Sequence, residues 1–364
     1  MDKEISQIHV AQADVRLPAD ERHRRWLLIR HPVGLPTLDD FLFVEDILPL
    51  PPPGKFLVRV VYLSIDPKQR LLMNATHRFV ELVPLHGPMF GNAVGEVMIS
   101  NHPEFRRGDI VTDIFGWQSH AVADGKGHYS SNPYGTRKVD PALGPISTAI
   151  GVLGSGGLTA YFSVLRELKP RAGETMVVSS AAGNVGLIAG QIGKIFGCRV
   201  IGLTSTDHKC ETILRDFGYD EAINYRTTND LAAAIRRIAP KGVDMYYDNV
   251  GGRIAEAVSQ TLNPGARVTL VGVIEHYNSV VGEGKPWNWP FAKTMSYFIV
   301  HDYHREYQVG LRDLSNWIKQ GKLKYREDVV EGLENAPAAL LDLFAGGNIG
   351  KRIVRVAANP AGIA

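Results

Sequence analysis

Apolar and polar positions change rhythm once along this chain. From Trp26 to about residue 123, short aliphatic and β-branched runs alternate with turn residues: WLLIR, FLFVEDIL, KFLVRVVYLSID, GNAVGEVMIS and GDIVTDIFGWQSHAVA. Runs of this length bounded by Gly, Pro, Asn and Asp read as strands. They predict a β-rich, partly open barrel. From about residue 151 the rhythm lengthens. A helix is expected over 158–168. Strands are expected over 176–179, 199–203, 221–224, 243–247 and 267–271, with helices over 230–238, 254–262 and 306–320. Strands and helices in alternation call for right-handed crossovers and a parallel sheet. The final stretch, LENAPAALLDLFAGGNIGKRIVRV, reads as a helix, a glycine turn and a strand that rejoins the first unit. The expected fold class is α/β, a β-rich domain plus a doubly wound parallel sheet.

One segment carries chemistry: TMVVSSAAGNVGLIAGQIGKIFGCRVIGLTSTDHK, residues 175–209. Its first apolar run suits a strand buried on both faces. Ala181, Gly183 and Gly186 then occupy the three positions of a dinucleotide fingerprint, with Ala in the first. Gly183 lets a pyrophosphate approach the backbone, and Gly186 lets the next helix pack on the strand. Asn184 and Val185 open that helix, whose N-terminus offers free N–H groups and a partial positive charge to phosphates. A turn in an α/β protein that binds no nucleotide is the bland alternative.

The tip of the second strand bears on which dinucleotide binds. An NAD site places Asp or Glu there for the ribose 2′-OH. Here the tip reads Leu203-Thr204-Ser205-Thr206, with no carboxylate. Asp207 suits the N-cap of the following helix. Lys209, with Thr204, Ser205 and Thr206, offers charge and hydroxyls to a 2′-phosphate. The expectation is NADP(H), against a solvated surface lysine.

Composition excludes more than it assigns. The 364 residues allow two domains, 45% are hydrophobic, and the formal net charge is +2. That charge gives no reason to expect nucleic acid or an anionic membrane surface. No apolar run reaches the length of a membrane span. The N-terminal residues mix acids and bases and show no signal peptide, so cytoplasmic location is the default expectation. Residues 1–25 read as a charged extension, solvated at 21–25. The chain has two cysteines, Cys198 and Cys210, both in the nucleotide region. A four-Cys zinc site cannot be built, and no HxH or HExxH spacing occurs, so no metal is expected.

Seven segments, in order, resemble those of a known family: LSIDPKQR (63–70), GGLTAYF (156–162), AAGNVG (181–186), GQIGKIFGCRVIG (190–202), INYR (223–226), DNVGG (248–252) and GNIGKRIVRV (347–356). The chain is identified as a member of the zinc-independent medium-chain dehydrogenase/reductases, nearest their prostaglandin reductase and alkenal/enone reductase group. The resemblance implies a GroES-like substrate domain from both chain ends (26–154 and 320–364) and a Rossmann domain between them (155–319). It implies a homodimer that reduces the C=C bond of small, hydrophobic unsaturated carbonyls with NADPH. By position it implies Lys209 near the 2′-phosphate, Tyr225 at the adenosine end, Asn249 and Asn348 beside the cofactor, and Tyr277 near the nicotinamide ribose and substrate. Three features depart from the family: residues 128–136 are inserted, the N-terminal extension is extra, and Lys68 stands where the family has a tyrosine.

Reduction of an enone leaves an enolate oxygen that needs a donor, such as the ribose 2′-OH, a backbone N–H or Tyr277. Tyr62, Trp117, Tyr277 and Trp287 are the expected substrate walls. Trp287 could equally pack a subunit interface. A quinone reductase and a cofactor-bound protein without catalysis are the rival readings.

Overall fold

The structure, a computed structural model, describes residues 21–76, 81–127, 135–278 and 292–363. Residues 1–20 of the expected extension, most of the 128–136 insertion, and Trp287 lie outside them.

Strand β1 (Arg22–Leu28) pairs antiparallel with β2 (Phe41–Ile47). The charge run expected as a solvated arm is therefore the start of a strand. His23 is buried and bonds Gln118 at 2.9 Å, and Arg25, two residues on and so on the same face of the strand, pairs with Asp46 across the hairpin. Then come β3 (Phe56–Ser64), the short helix α1 (Lys68–Leu72), β4 (Ala93–Ser100), β5 (Ile110–Asp113), β6 (His120–Ala123) and β7 (Arg137–Lys138). The barrel sheet runs outward from β3 through β4 and β5 to β7, with β6 also on β3.

Helix α2 (Ser155–Phe162) continues as a π-helical turn (Ser163–Leu168). Next follow β8 (Thr175–Ser179), α3 (Asn184–Ile195), β9 (Arg199–Thr204), α4 (Asp207–Phe217), β10 (Glu221–Asn224), α5 (Leu231–Ile238), β11 (Val243–Asp248), α6 (Gly252–Ser259), β12 (Leu262–Leu270) and β13 (Ala292–Tyr297). Helix α7 (Tyr307–Lys319) leads to β14 (Glu327–Glu331), α8 (Ala336–Ala345) and β15 (Lys351–Arg355). β14 lies parallel to β15, and β15 pairs antiparallel with β3, so the C-terminal strand joins the barrel sheet.

The second sheet has the order β10-β9-β8-β11-β12-β13, all parallel. Met176, Val177 and Val178 at its centre are fully buried, each contributing about 1.5–3 kcal/mol of apolar burial. Strand order reverses between β8 and β11, and there the strands' C-terminal ends diverge into a crevice.

Two local expectations fail. The helix expected over 254–262 ends at Ser259, and β12 begins at Leu262 instead of residue 267. Asn263-Pro264-Gly265 carries turn chemistry, yet the strand runs through it: Gly265 at φ +80 absorbs the kink, and the register shifts beside it. The edge strand β13 was not anticipated.

Candidate active site

The glycine turn after β8 is shaped by close approach. Ser180 adopts φ +50, rare for a residue with a side chain. A Cβ on Gly186 would lie 2.4 Å from the Ser180 carbonyl oxygen, so only glycine lets α3 start here. In GGLTAYF, a Cβ on Gly156 would sit 2.1 Å from the Asn184 amide and one on Gly157 would sit 1.7 Å from Val152 O. Gly183, Asn184, Val185 and Gly186 line a cleft of roughly 600 Å³ that runs along the crevice. Ala181 does not reach it: the residue is fully buried beneath the turn, its N–H bonded to Leu203 O at 3.1 Å. Its expected contact with cofactor is corrected to a wall position under the turn.

At the tip of β9 the cap differs from expectation. Thr206, not Asp207, caps α4: its hydroxyl accepts the Lys209 N–H at 3.2 Å. Asp207 instead receives the Asn224 amide of neighbouring β10 at 2.8 Å, a tertiary bond that local sequence does not show. Thr204 spends its hydroxyl on Thr206 O and Cys210 Sγ, inside the turn. Thr204, Ser205 and Lys209 all line the cleft, and Lys209 Nζ donates to Gly346 O at 2.7 Å. Arg226 joins them: a Cβ on Gly346 would be 3.4 Å from Ser205 Oγ, 3.7 Å from Arg226 Nη2 and 3.8 Å from Lys209 Nζ. Burial, then the Arg226 charge, pushes the Lys209 ammonium below the usual lysine range. Two cations and a hydroxyl that converge this way make a cradle for a dianion. Residues of this chain therefore fit a 2′-phosphate. Tyr225 forms the adjacent wall, with the Arg253 guanidinium 5.9 Å from its ring centre. Arg226 and Arg253 were missed in the sequence, although Arg226 closes INYR and Arg253 directly follows DNVGG.

The DNVGG turn hangs on a buried carboxylate. Asp248 Oδ1 accepts the Tyr246 hydroxyl, the Ser179 hydroxyl and the N–H groups of Val250 and Gly251, all at 2.9–3.0 Å. Burial raises its pKa, against those donors. Asn249 is thereby fixed at the cleft, its amide donating to Ser179 O at 2.7 Å. Asn348 also lines the cleft and donates to Gly350 O in its own turn. Both asparagines thus hold turns as well as facing the cofactor cleft. Gly350 N–H bonds Ala182 O at 2.8 Å, so the C-terminal turn docks on the glycine turn and both sheets frame one cleft.

The far end of the cleft is lined by Tyr277, Asn92, Ile65, Ile150, Val271 and Lys68. The Tyr277 hydroxyl lies 3.6 Å from where a Gly272 Cβ would be, beside the end of β12. Two expected substrate walls are not there. Tyr62 is 5% exposed and packs with Val94, Ile146 and Ile353, under the Arg355 guanidinium. Trp117 is fully buried in the barrel core, stacked on Phe41 at 5.7 Å. Large aromatic rings bury more area in a core than in an open cleft, and sequence alone does not show which face of a strand is which.

Comparison with known proteins places this geometry. A family profile described as the N-terminal domain of oxidoreductase matches residues 24–130, and one described as zinc-binding dehydrogenase matches 184–304. A putative NADP-dependent oxidoreductase of Bacillus subtilis is 40% identical over 335 residues, covering 90% of this chain and 96% of that protein. The chain belongs to the zinc-independent medium-chain dehydrogenase/reductases. Within this family, the NADPH-dependent curcumin reductase of Escherichia coli is 35% identical over 93% of the chain and 98% of its own length. CurA of Vibrio vulnificus, solved in complex with NADPH, superposes with a TM-score of 0.84 at 37% identity, over 92% of this chain and all of that one. This family member is an NADP-dependent oxidoreductase, and NADP(H) is its cofactor. Among the described residues, no group of three or more His, Cys, Asp or Glu is placed to hold a metal ion.

Proposed function

We propose that this enzyme reduces the C=C bond of α,β-unsaturated aldehydes and ketones with NADPH, and that it works as a homodimer on small apolar acceptors. The observation that carries the reading is the shape of the cleft. A cationic phosphate corner at one end opens, past Asn249, onto a chamber walled by Ile65, Ile150 and Val271 that also carries Asn92, Lys68 and the Tyr277 hydroxyl. The name of the curcumin-reducing relative supports the same acceptor class.

Bound NADPH supplies the hydride. The chain's own residues do the rest. Gly183 and Gly186 admit the pyrophosphate to backbone N–H groups at the start of α3. Ser205, Lys209 and Arg226 hold the 2′-phosphate, and Tyr225 with Arg253 flanks the adenosine end. Asp248 fixes the turn that carries Asn249. Ile65, Ile150 and Val271 exclude water from the chamber, which strengthens each polar contact inside it. Tyr277 donates its hydroxyl proton toward the substrate.

NADPH oxidation measured against a 2-alkenal, an aryl enone, a quinone and a simple ketone tests the reading. Saturated carbonyl products from the first two are expected, unaffected by chelator. Turnover of the quinone alone would replace it with a quinone reductase. NADPH bound with no acceptor reduced would replace it with a non-catalytic member. Light scattering of the purified chain tests the dimer.

A further inference from the structure

Lys68 starts α1 at the chamber end of the cleft, directly after Pro67. Three ammonium groups line this cleft, and two are occupied: Lys209 by Gly346 O, and Lys351 by Ile65 O at 2.9 Å and Asp66 Oδ1 at 2.7 Å. Lys68 makes no hydrogen bond and no ion pair among the described residues. It lies 4.9 Å from the centre of the Phe90 ring, which supports the ammonium without taking its protons. The nearest carboxylate is already spent, since Asp66 accepts Lys351 on one oxygen and the Ser64 hydroxyl on the other. Asp66 stays ionised: burial opposes this, but the Lys351 and Lys68 charges outweigh it and hold the carboxyl low.

We propose that the Lys68 ammonium takes the carbonyl oxygen of the acceptor and holds the negative charge that grows there during C=C reduction. This rests on the enone reading above. As the β-carbon accepts a hydride from NADPH, which becomes NADP⁺, the C=C π pair shifts toward the carbonyl and the oxygen becomes an enolate. One proton then arrives at the α-carbon and the saturated carbonyl re-forms, so the acceptor has gained two electrons and two hydrogens. A fixed cation with three free donors in a partly desolvated chamber stabilises that oxygen far more than water does. Tyr277 is left for the proton. Burial, with the Lys351 charge, pushes the Lys68 ammonium below the usual lysine range, while Asp66 pulls it back up. The other titratable group against it is His301, whose own pKa is lowered by burial and then by Lys68.

The test compares wild type with Lys68→Met, which keeps the stem, and Lys68→Arg, which keeps the charge. NADPH affinity, read by fluorescence, is expected to hold in both. Enone kcat/KM is expected to drop about 100- to 1,000-fold in Lys68→Met, the usual loss for one oxyanion donor, and to recover in part in Lys68→Arg. The alkaline fall of the wild-type profile should vanish in Lys68→Met. An equilibrium arm needs no turnover: in buffer below its own pKa, 4-nitrophenol, an enolate mimic, should bind the NADP⁺ complex of wild type as the yellow phenolate and that of Lys68→Met as the colourless phenol. Wild-type enone turnover with an equally active Lys68→Met of unchanged pH profile would overturn the assignment and leave the reading intact. A wild type that reduces no enone or alkenal overturns both. If Lys68→Met does not fold, nitrophenolate affinity for the wild-type NADP⁺ complex that stays flat as pH rises through the lysine's titration overturns the assignment, and affinity lost there supports it.

Discussion

At the scale of single residues, charge and missing side chains decide cofactor choice. Lys209 and Arg226 converge on one point with Ser205, and among the described residues neither has a carboxylate bonded to it. Replacing either with Ala should raise the KM for NADPH by about 10- to 100-fold, the weight of one or two charge-assisted hydrogen bonds, and leave the KM for NADH almost unchanged. Steady-state kinetics with both cofactors check this, and an equal rise for NADH would refute it. Gly186 works by absence. A methyl there would sit 2.4 Å from a backbone oxygen that cannot move without reshaping the turn. Gly186→Ala should cost about 1–3 kcal/mol of stability and abolish NADPH binding, read by denaturant melts and cofactor fluorescence. Lys209 and Gly186 were legible in the sequence because each belongs to a short motif read in chain order. Arg226 was not, because it meets Lys209 only when β10 lies beside β9.

Elements add the second layer. Helix α4 is capped by Thr206, and the N–H that this cap satisfies belongs to Lys209 itself. Thr206→Ala should therefore cost about 1 kcal/mol and also raise the KM for NADPH several-fold, because a frayed first turn releases the lysine. A stability loss with unchanged KM would mean that Lys209 is held by Gly346 alone. The hairpin β1–β2 docks on the barrel through two buried imidazoles. His120 is lowered to about 4 by burial, then by the charges of His23, Arg59 and Arg24; His23 is lowered by burial too. Glu21 lies 3.2 Å from His120 Nε2. Since the unfolded imidazole titrates near 6.5, the unfolded chain binds the proton first as pH falls. Stability from the neutral ring is complete above that value and is lost progressively down to about pH 4. The loss from His120 is of the order of 3 kcal/mol. His120→Gln should flatten the decline in melting temperature across that window; an unaltered decline would place its cause elsewhere.

For the whole molecule, the cleft depends on two sheets meeting. The C-terminal turn bonds the glycine turn through Gly350 and Ala182, and residues 346 and 348 line the same cleft as the turns that follow β8 and β11 and the tip of β9. A ligand in that cleft binds both halves at once. Saturating NADPH, at 100 times its Kd, should stabilise the fold by about 2.7 kcal/mol and shift both sheets together, as one calorimetric transition. Gly350→Ala should remove much of that shift, because a Cβ at its φ of +78 would lie 2.2 Å from Arg326 O and lift the turn away.

The α/β class, the strand–glycine–helix unit and the choice of NADP(H) follow from sequence alone, because each rests on neighbours within some thirty residues and on side-chain chemistry that no distant contact can reverse. The walls of the substrate chamber do not follow. Tyr62 and Trp117 were plausible on composition, and the barrel turned both away from the cleft; Ala181 sank beneath its turn; Asp207 gave up the cap to Thr206. A strand exposes alternate residues to opposite faces, and only the pairing of β3 with β15 and β4 decides which face meets the cofactor. The same pairing leaves Lys68 at the chamber with its neighbour's carboxylate already taken by Lys351, from the other end of the chain.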